Sequence, residues 1–123
     1  MSVYSASMSE AELQDSLAAE LQLRGWRIAH FRAGRTQRGR WSTPLQYNGA
    51  GFPDIIGVHP TGGVLAVECK STRGRLSTAQ GDWISAFRDA GATALVAYPM
   101  SLHEVSETIR SLTTGARQLA MSS

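Results

Sequence analysis

Gly51-Phe52-Pro53-Asp54, then Ile55-Ile56-Gly57-Val58, a turn at Thr61-Gly62-Gly63, and Val64-Leu65-Ala66-Val67-Glu68-Cys69-Lys70 form the stretch that decides the fold. An acid opens one apolar strand, a tight turn follows, and a second apolar strand ends in acid, apolar, base. Side chains alternate across a strand with period two, so Glu68 and Lys70 share one face and Cys69 points to the other. Pairing of the two strands as a hairpin brings Asp54 near the Glu68 face. Two carboxylates and an ammonium then converge at one end of a small sheet.

Working outward, Ser9 is an N-cap for a helix over Glu10 to Arg24 that stops at Gly25. Leu13, Leu17, Ala18 and Leu21 form its apolar stripe. Glu10 and Gln14 lie on the ridge that borders this stripe, whereas Glu12 and Asp15 lie further round toward solvent. Trp26 to Phe31 alternates with apolar groups on both faces and is expected to be a strand covered on each side, with His30 more often a structural histidine than a ligand. Downstream, Ser77 and Gln80 make a capping box for a helix to about Ala90, with Trp83, Ile84, Phe87 and Ala90 as its buried stripe. Gln80 heads that stripe, so its side chain can face inward as well as cap. Thr93 to Tyr98 is expected to be a buried strand ended by Pro99. Ser101 and Glu104 form a second such box, opening a helix whose Leu102, Val105, Ile109 and Leu112 face the core.

The predicted order in the core is α-β-β-β-α-β-α, an α/β architecture with a central mixed β-sheet flanked by helices. The helix from Ser77 connects two strands that must then run parallel, while the Asp54–Lys70 hairpin is antiparallel. With 123 residues, one domain is expected. A hydrophobic share of 42% argues against wholesale disorder. No apolar run is long enough to span a bilayer, and Met1 to Ser9 lacks the pattern of a signal peptide, so an intracellular, cytoplasmic location is expected. The single cysteine excludes an internal disulfide framework and a cysteine-rich zinc site.

The net charge of +2 is unremarkable, but its distribution is not. Eleven arginines stand against one lysine, and the lysine is Lys70. Six of the arginines lie between Arg24 and Arg40, and no Asp or Glu occurs between Glu20 and Asp54. The stretch 33–51 is long, rich in Gly and Arg, and interleaves Arg35, Arg38 and Arg40 with Trp41 and Tyr47. A β-ribbon turning at Gln37 to Arg40 is one form it can take. Arginine forks suit phosphate and aromatic rings suit bases, so Arg32, Arg35, Arg38, Arg40 and Trp41, with Arg73 and Arg75 beyond Lys70, are the expected DNA contacts.

Carboxylates offering hard oxygen ligands suit Mg²⁺ or Mn²⁺. Such a cation can hold a scissile phosphate and acidify a water, and a lysine beside it can orient or deprotonate that water. A bare Glu-x-Lys is common and carries little weight. An apolar strand before it, a Pro-Asp opening the preceding strand, an acid heading an upstream helix and a glutamine heading a downstream one together point to phosphodiester hydrolysis.

These motifs, Ser9-Glu10-Ala11-Glu12-Leu13-Gln14, Gly51-Phe52-Pro53-Asp54, Glu68-Cys69-Lys70 and Gln80-Gly81-Asp82-Trp83, resemble the VRR-NUC domain of the PD-(D/E)XK nuclease superfamily. The resemblance implies a restriction-endonuclease-like core at about 9–113 within a single nuclease domain, with the Arg-rich segment 33–51 as an insert. It implies metal ligation by Glu10, Asp54, Glu68 and the backbone carbonyl of Cys69, with Glu12 as the alternative first acid. Lys70 would act on the attacking water, Gln80 would complete the catalytic set and Gln14 would support it. Stand-alone members look like dimeric, structure-specific endonucleases that resolve four-way junctions, so a homodimer acting on branched DNA is the expectation. A restriction-type enzyme reading duplex sequence and a non-catalytic DNA-binding module of the same fold are the alternatives.

Overall fold

Ser9 opens the first helix as the sequence predicts. Its hydroxyl accepts from the Glu12 N–H and the Glu12 carboxylate accepts from the Ser9 N–H, a reciprocal box that satisfies two end groups of α1 (Glu10–Leu23). Gly25, at φ +87, turns the chain out of the helix. Leu13, Leu17 and Leu21 are fully buried, which by transfer stabilises roughly 2 kcal/mol each. The computed structural model describes residues 8–31, 34–35, 41–42 and 47–115.

The remaining elements are β1 (Arg27–His30), β2 (Gly34–Arg35), β3 (Trp41–Ser42), β4 (Ile55–His59), β5 (Gly63–Cys69), α2 (Thr78–Asp89), β6 (Thr93–Ala97), a 3₁₀ turn at Pro99–Ser101 and α3 (Leu102–Thr114). Four strands form a mixed sheet in the order β1-β4-β5-β6. β1, β4 and β5 are successively antiparallel, and β5 and β6 are parallel across α2. α1 and α3 cover one face, where they pack on Ile55, Leu65, Val67, Cys69 and Ala97. α2 covers the other, where Ile84 and Phe87 meet Ile56, Ala66, Ala94 and Val96. Among the described residues no helix is long and apolar enough to cross a membrane.

Inside the Arg-rich stretch, β2 and β3 pair as a two-stranded ribbon with Arg35 opposite Trp41. The expected turn at Gln37 to Arg40 lies outside the described residues.

Four expectations need correction. β1 is an edge strand covered on one face only: Arg27 and Ala29 are exposed and Phe31 is 48% exposed, because α2 does not reach across to it. β6 is the other edge, so only Ala94 and Ala97 of that strand are buried. Ala90 is exposed, since it is the C-cap of α2 and its side chain has left the packed stripe. Ser101 does not cap α3. Its hydroxyl instead accepts from the Tyr98 N–H and donates to the Tyr98 carbonyl, closing the 3₁₀ turn that Pro99 starts.

Two contacts far apart in sequence fix the ends of the layers. Trp26 is buried and donates its indole N–H to Thr113 Oγ1 at 2.8 Å, locking the start of β1 onto α3. Gly62 faces the same ring, and a Cβ there would stand 2.5 Å from it. At the opposite end, the turn before Asp54 packs onto the start of α2. Gly51 sits at φ +81, and a Cβ would lie 2.6 Å from the backbone of Ala79 and Gln80. Gly51→Ala should therefore lower the urea-unfolding free energy by at least about 1 kcal/mol through the left-handed conformation alone, with further loss from the clash. A melt indistinguishable from wild type would contradict this packing.

Candidate metal centre

The hairpin delivers the first half of the site. Ile55 pairs with Val67, so Asp54 and Glu68 follow as neighbours at the same sheet end. The Asp54 carbonyl accepts from the Phe31 N–H at 2.7 Å, and its carboxylate Oδ2 accepts from the Cys69 N–H at 2.8 Å. The residue is thus held from both neighbouring strands. Glu10, the first residue of α1, reaches in from the other layer. One oxygen from each of Glu10, Asp54 and Glu68 lies within 4.8 Å of the other two.

Glu68 is buried, at 2% exposure, and its two oxygens are treated differently. Oε2 accepts from Gln80 Nε2 at 3.2 Å and faces Lys70 Nζ at 3.8 Å. Oε1 is buried and accepts no hydrogen bond from a described donor; when Glu68 carries its proton, the two carboxyls of Glu68 and Asp54 share a hydrogen bond. Such an oxygen costs about 1–3 kcal/mol or more when left unpaired, and a cation would remove that cost. Three carboxylates are also the donor set that a hard divalent cation accepts. The residues present therefore fit a divalent metal ion.

The protonation behaviour agrees with this charge arrangement. Burial, followed by the Asp54 charge, pushes the Glu68 carboxyl up to about 8 despite the opposing Lys70. Burial also raises Asp54, against the Cys69 N–H, Lys70 and His30. Partial desolvation and then the Asp54 charge raise Glu10 at the open rim. Burial raises the Cys69 thiol, whose side chain packs in the core behind the site and is not a ligand candidate.

Most of the predicted site residues lie among the described ones. Glu10, Asp54, Glu68, Lys70 and Gln80 come together. Gln80 caps and supports at once: its Oε1 accepts from the Ser77 N–H at 2.9 Å, which turns its amide nitrogen toward Glu68. Glu12 is occupied by the Ser9 cap and stands outside the cluster. Gln14 is buried, with Oε1 2.7 Å from His30 Nε2, and the His30 charge in turn bears on Asp54. Arg73 and Arg75 are exposed on the connection between β5 and α2. Arg35 and Trp41 lie in the β2–β3 ribbon, and Arg32, Arg38 and Arg40 lie outside the described residues.

Sequence reasoning missed the buttress behind Asp54. Phe52 packs edge-on against Phe31 and Trp83, with centroids 5.4 and 4.9 Å away, and Trp83 Nε1 donates to the carbonyls of Asn48 and Ala50 at 2.9 and 3.1 Å. The available signal was Trp83 itself, since an indole N–H near a core usually has an acceptor to find.

Residues 8–100 match the VRR-NUC domain family. No curated protein and no solved structure matches the chain significantly. The matched span covers most of the chain, from just before the Ser9 cap into the 3₁₀ turn, and contains the whole carboxylate cluster together with Lys70 and Gln80. The chain belongs to the VRR-NUC family of nuclease domains.

Proposed function

We propose that this chain is a Mg²⁺- or Mn²⁺-dependent DNA endonuclease with a PD-(D/E)XK core in a single domain. On this reading it acts as a homodimer on branched DNA such as four-way junctions, where two sites make two symmetric nicks. The observation that carries the catalytic reading is the convergence of Glu10, Asp54 and Glu68, one oxygen of each lying within 4.8 Å of the other two. The Arg-rich composition between Arg24 and Arg40 supports DNA as the polymer that arrives there.

Glu10, Asp54, Glu68 and the main-chain carbonyl of Cys69 would hold the cation. When bound, such a cation supplies positive charge for the scissile phosphate and lowers the pKa of an attacking water. Lys70, 3.8 Å from Glu68, presents its ammonium to the same face. There it orients the attacking water and offsets charge that builds on the phosphate. Gln80 holds the Glu68 carboxylate in one orientation from the helix cap. The Cys69 N–H does the same for Asp54, so neither carboxylate has to be ordered at the moment of reaction.

Incubation with Mg²⁺ or Mn²⁺, against chelator, on four-way junction, flap, single strand and linear duplex tests the reading. Asp54→Ala and Glu68→Ala should each lose cleavage on the order of 10³-fold while still binding DNA. Full activity in either variant would refute the assignment. Glu12→Ala should cost about 1 kcal/mol of stability through the lost cap yet cleave normally, whereas Glu10→Ala should not.

A second test uses pH. The folded, metal-free protein holds the Glu68 proton up to about 8, against an ordinary value of 4.5. The stability this contributes is fully present below 4.5 and is lost as pH rises through about 8. A bound cation requires the deprotonated carboxylate. The gain in melting temperature on adding Mn²⁺ should therefore grow from pH 5.5 to pH 8. That growth should shrink in Glu68→Gln, and a pH-independent gain in the wild type would exclude the raised carboxyl.

A further inference from the structure

The turn that leads into Asp54 carries more construction than a connection needs. Trp83 of α2 donates its indole N–H to two of its carbonyls, Gly51 closes on the backbone of Ala79 and Gln80, and Phe52 is clamped between Phe31 and Trp83. At its outer end stands Tyr47, fully exposed and at φ +56, the only described non-glycine residue with positive φ. A tyrosine in the left-handed region is uncommon, and this one presents its whole ring to solvent. Between this turn and the outer side of α2 lies an open surface cavity of about 430 Å³, whose described lining is Asn48, Ala50, Ala79, Asp82, Trp83 and Ala86.

We infer that this cavity is a nucleobase subsite, which takes one unstacked base of the DNA while Tyr47 stacks on a neighbouring base at the rim. The inference rests on the nuclease reading above. The lining selects the occupant. Trp83 and three alanines give the open cavity an apolar lining that suits a planar ring, and the indole is already fixed by its two hydrogen bonds. Asp82 places a carboxylate at the wall, which repels a phosphate but accepts a hydrogen bond from an exocyclic amino group. Amino-bearing bases therefore fit better than thymine, and Asn48 adds a second polar edge.

The subsite also shares its walls with the catalytic cluster. The turn continues into Asp54, and α2 carries Gln80 to Glu68 from the helical turn next to Trp83. A base seated here is thus held by the same two elements that hold the metal ligands. An enzyme that must capture an unstacked base favours DNA whose bases are already unpaired, such as the branch point of a junction. This gives a physical route to structure preference that needs no reading of sequence in the grooves.

The test is a fluorescence scan. Junctions carrying a single 2-aminopurine, which keeps an exocyclic amino group, at successive positions around the branch are bound by the wild-type protein in Ca²⁺. At one position the emission should change several-fold on binding. In Ala86→Trp, which fills the cavity from an exposed helix position, that signal should vanish. Tyr47→Ala should weaken junction binding by about tenfold, and Asp82→Ala should erase the preference for cytosine or adenine over thymine at the responding position. Metal-dependent cleavage without any responding position would overturn the subsite alone. Absence of metal-dependent cleavage on every substrate would remove the nuclease reading and the subsite together. A change in oligomeric state in Ala86→Trp, with the fluorescence signal retained, would assign the cavity to a protein interface and overturn the proposal.

Discussion

Three carboxylates that approach within 4.8 Å of one another at the end of a sheet are the constraint on which the rest of this molecule depends. At that separation and an effective dielectric of about 20, two like charges repel by roughly 3.5 kcal/mol. A fold with a few kcal/mol of net stability does not keep such a cluster without compensation. Part of the compensation is internal: the Cys69 N–H on Asp54, and Gln80 and Lys70 on Glu68. Glu68 Oε1 is buried and accepts no hydrogen bond from a described donor. Burial, and then the Asp54 charge, hold a proton on Glu68 up to about pH 8, which removes one of the three charges while no cation is bound.

The two helix caps show how the same local device serves two ends. Both α1 and α2 begin with a serine whose hydroxyl accepts from the third helical N–H, and with an acidic or amide side chain that returns the bond. In α1 the returning side chain is Glu12, at the exposed surface, and the cap leaves Glu10 free to join the cluster. In α2 it is Gln80. An amide has a donor end and an acceptor end, so it closes the cap with its oxygen and holds Glu68 with its nitrogen. A glutamate in that position would still cap, but it would add a fourth negative charge beside Glu68. The choice between glutamate and glutamine at two equivalent helix positions follows from what each one faces.

Much of this was legible in the sequence because it was local or periodic. The period of two placed Glu68 and Lys70 on one face, the hairpin brought Asp54 alongside, and helical spacing put Glu10 and Gln14 at the buried border and Glu12 outside it. What was not legible depended on contacts between residues far apart in the chain. Trp26 meets Thr113 and Gly62, and Trp83 meets Asn48 and Ala50, through hydrogen bonds or packing that leave no periodic trace. The edge character of β1 and β6 is also a property of the assembled sheet, since an apolar strand reads alike in the centre and at the border. Ser101 misled for a different reason: Pro99 opens a tighter 3₁₀ turn, and a serine hydroxyl within hydrogen-bond reach of Tyr98 closes that turn before it can cap α3.

The buttress behind Asp54 changes how the site should be understood. A carboxylate held only by its strand would move with every fluctuation of the exposed edge beside β1. Here the backbone before Asp54 is pinned to α2 at three consecutive residues: Ala50 by the Trp83 N–H, Gly51 by close backbone approach, and Phe52 by ring packing. α2 in turn carries the amide that holds Glu68. The two carboxylates of the hairpin are therefore positioned by one helix as well as by their own strands, and a displacement of α2 displaces both. Rigidity at this point comes from side chains outside the carboxylate cluster, which is why the sequence motif alone understates how the site is built.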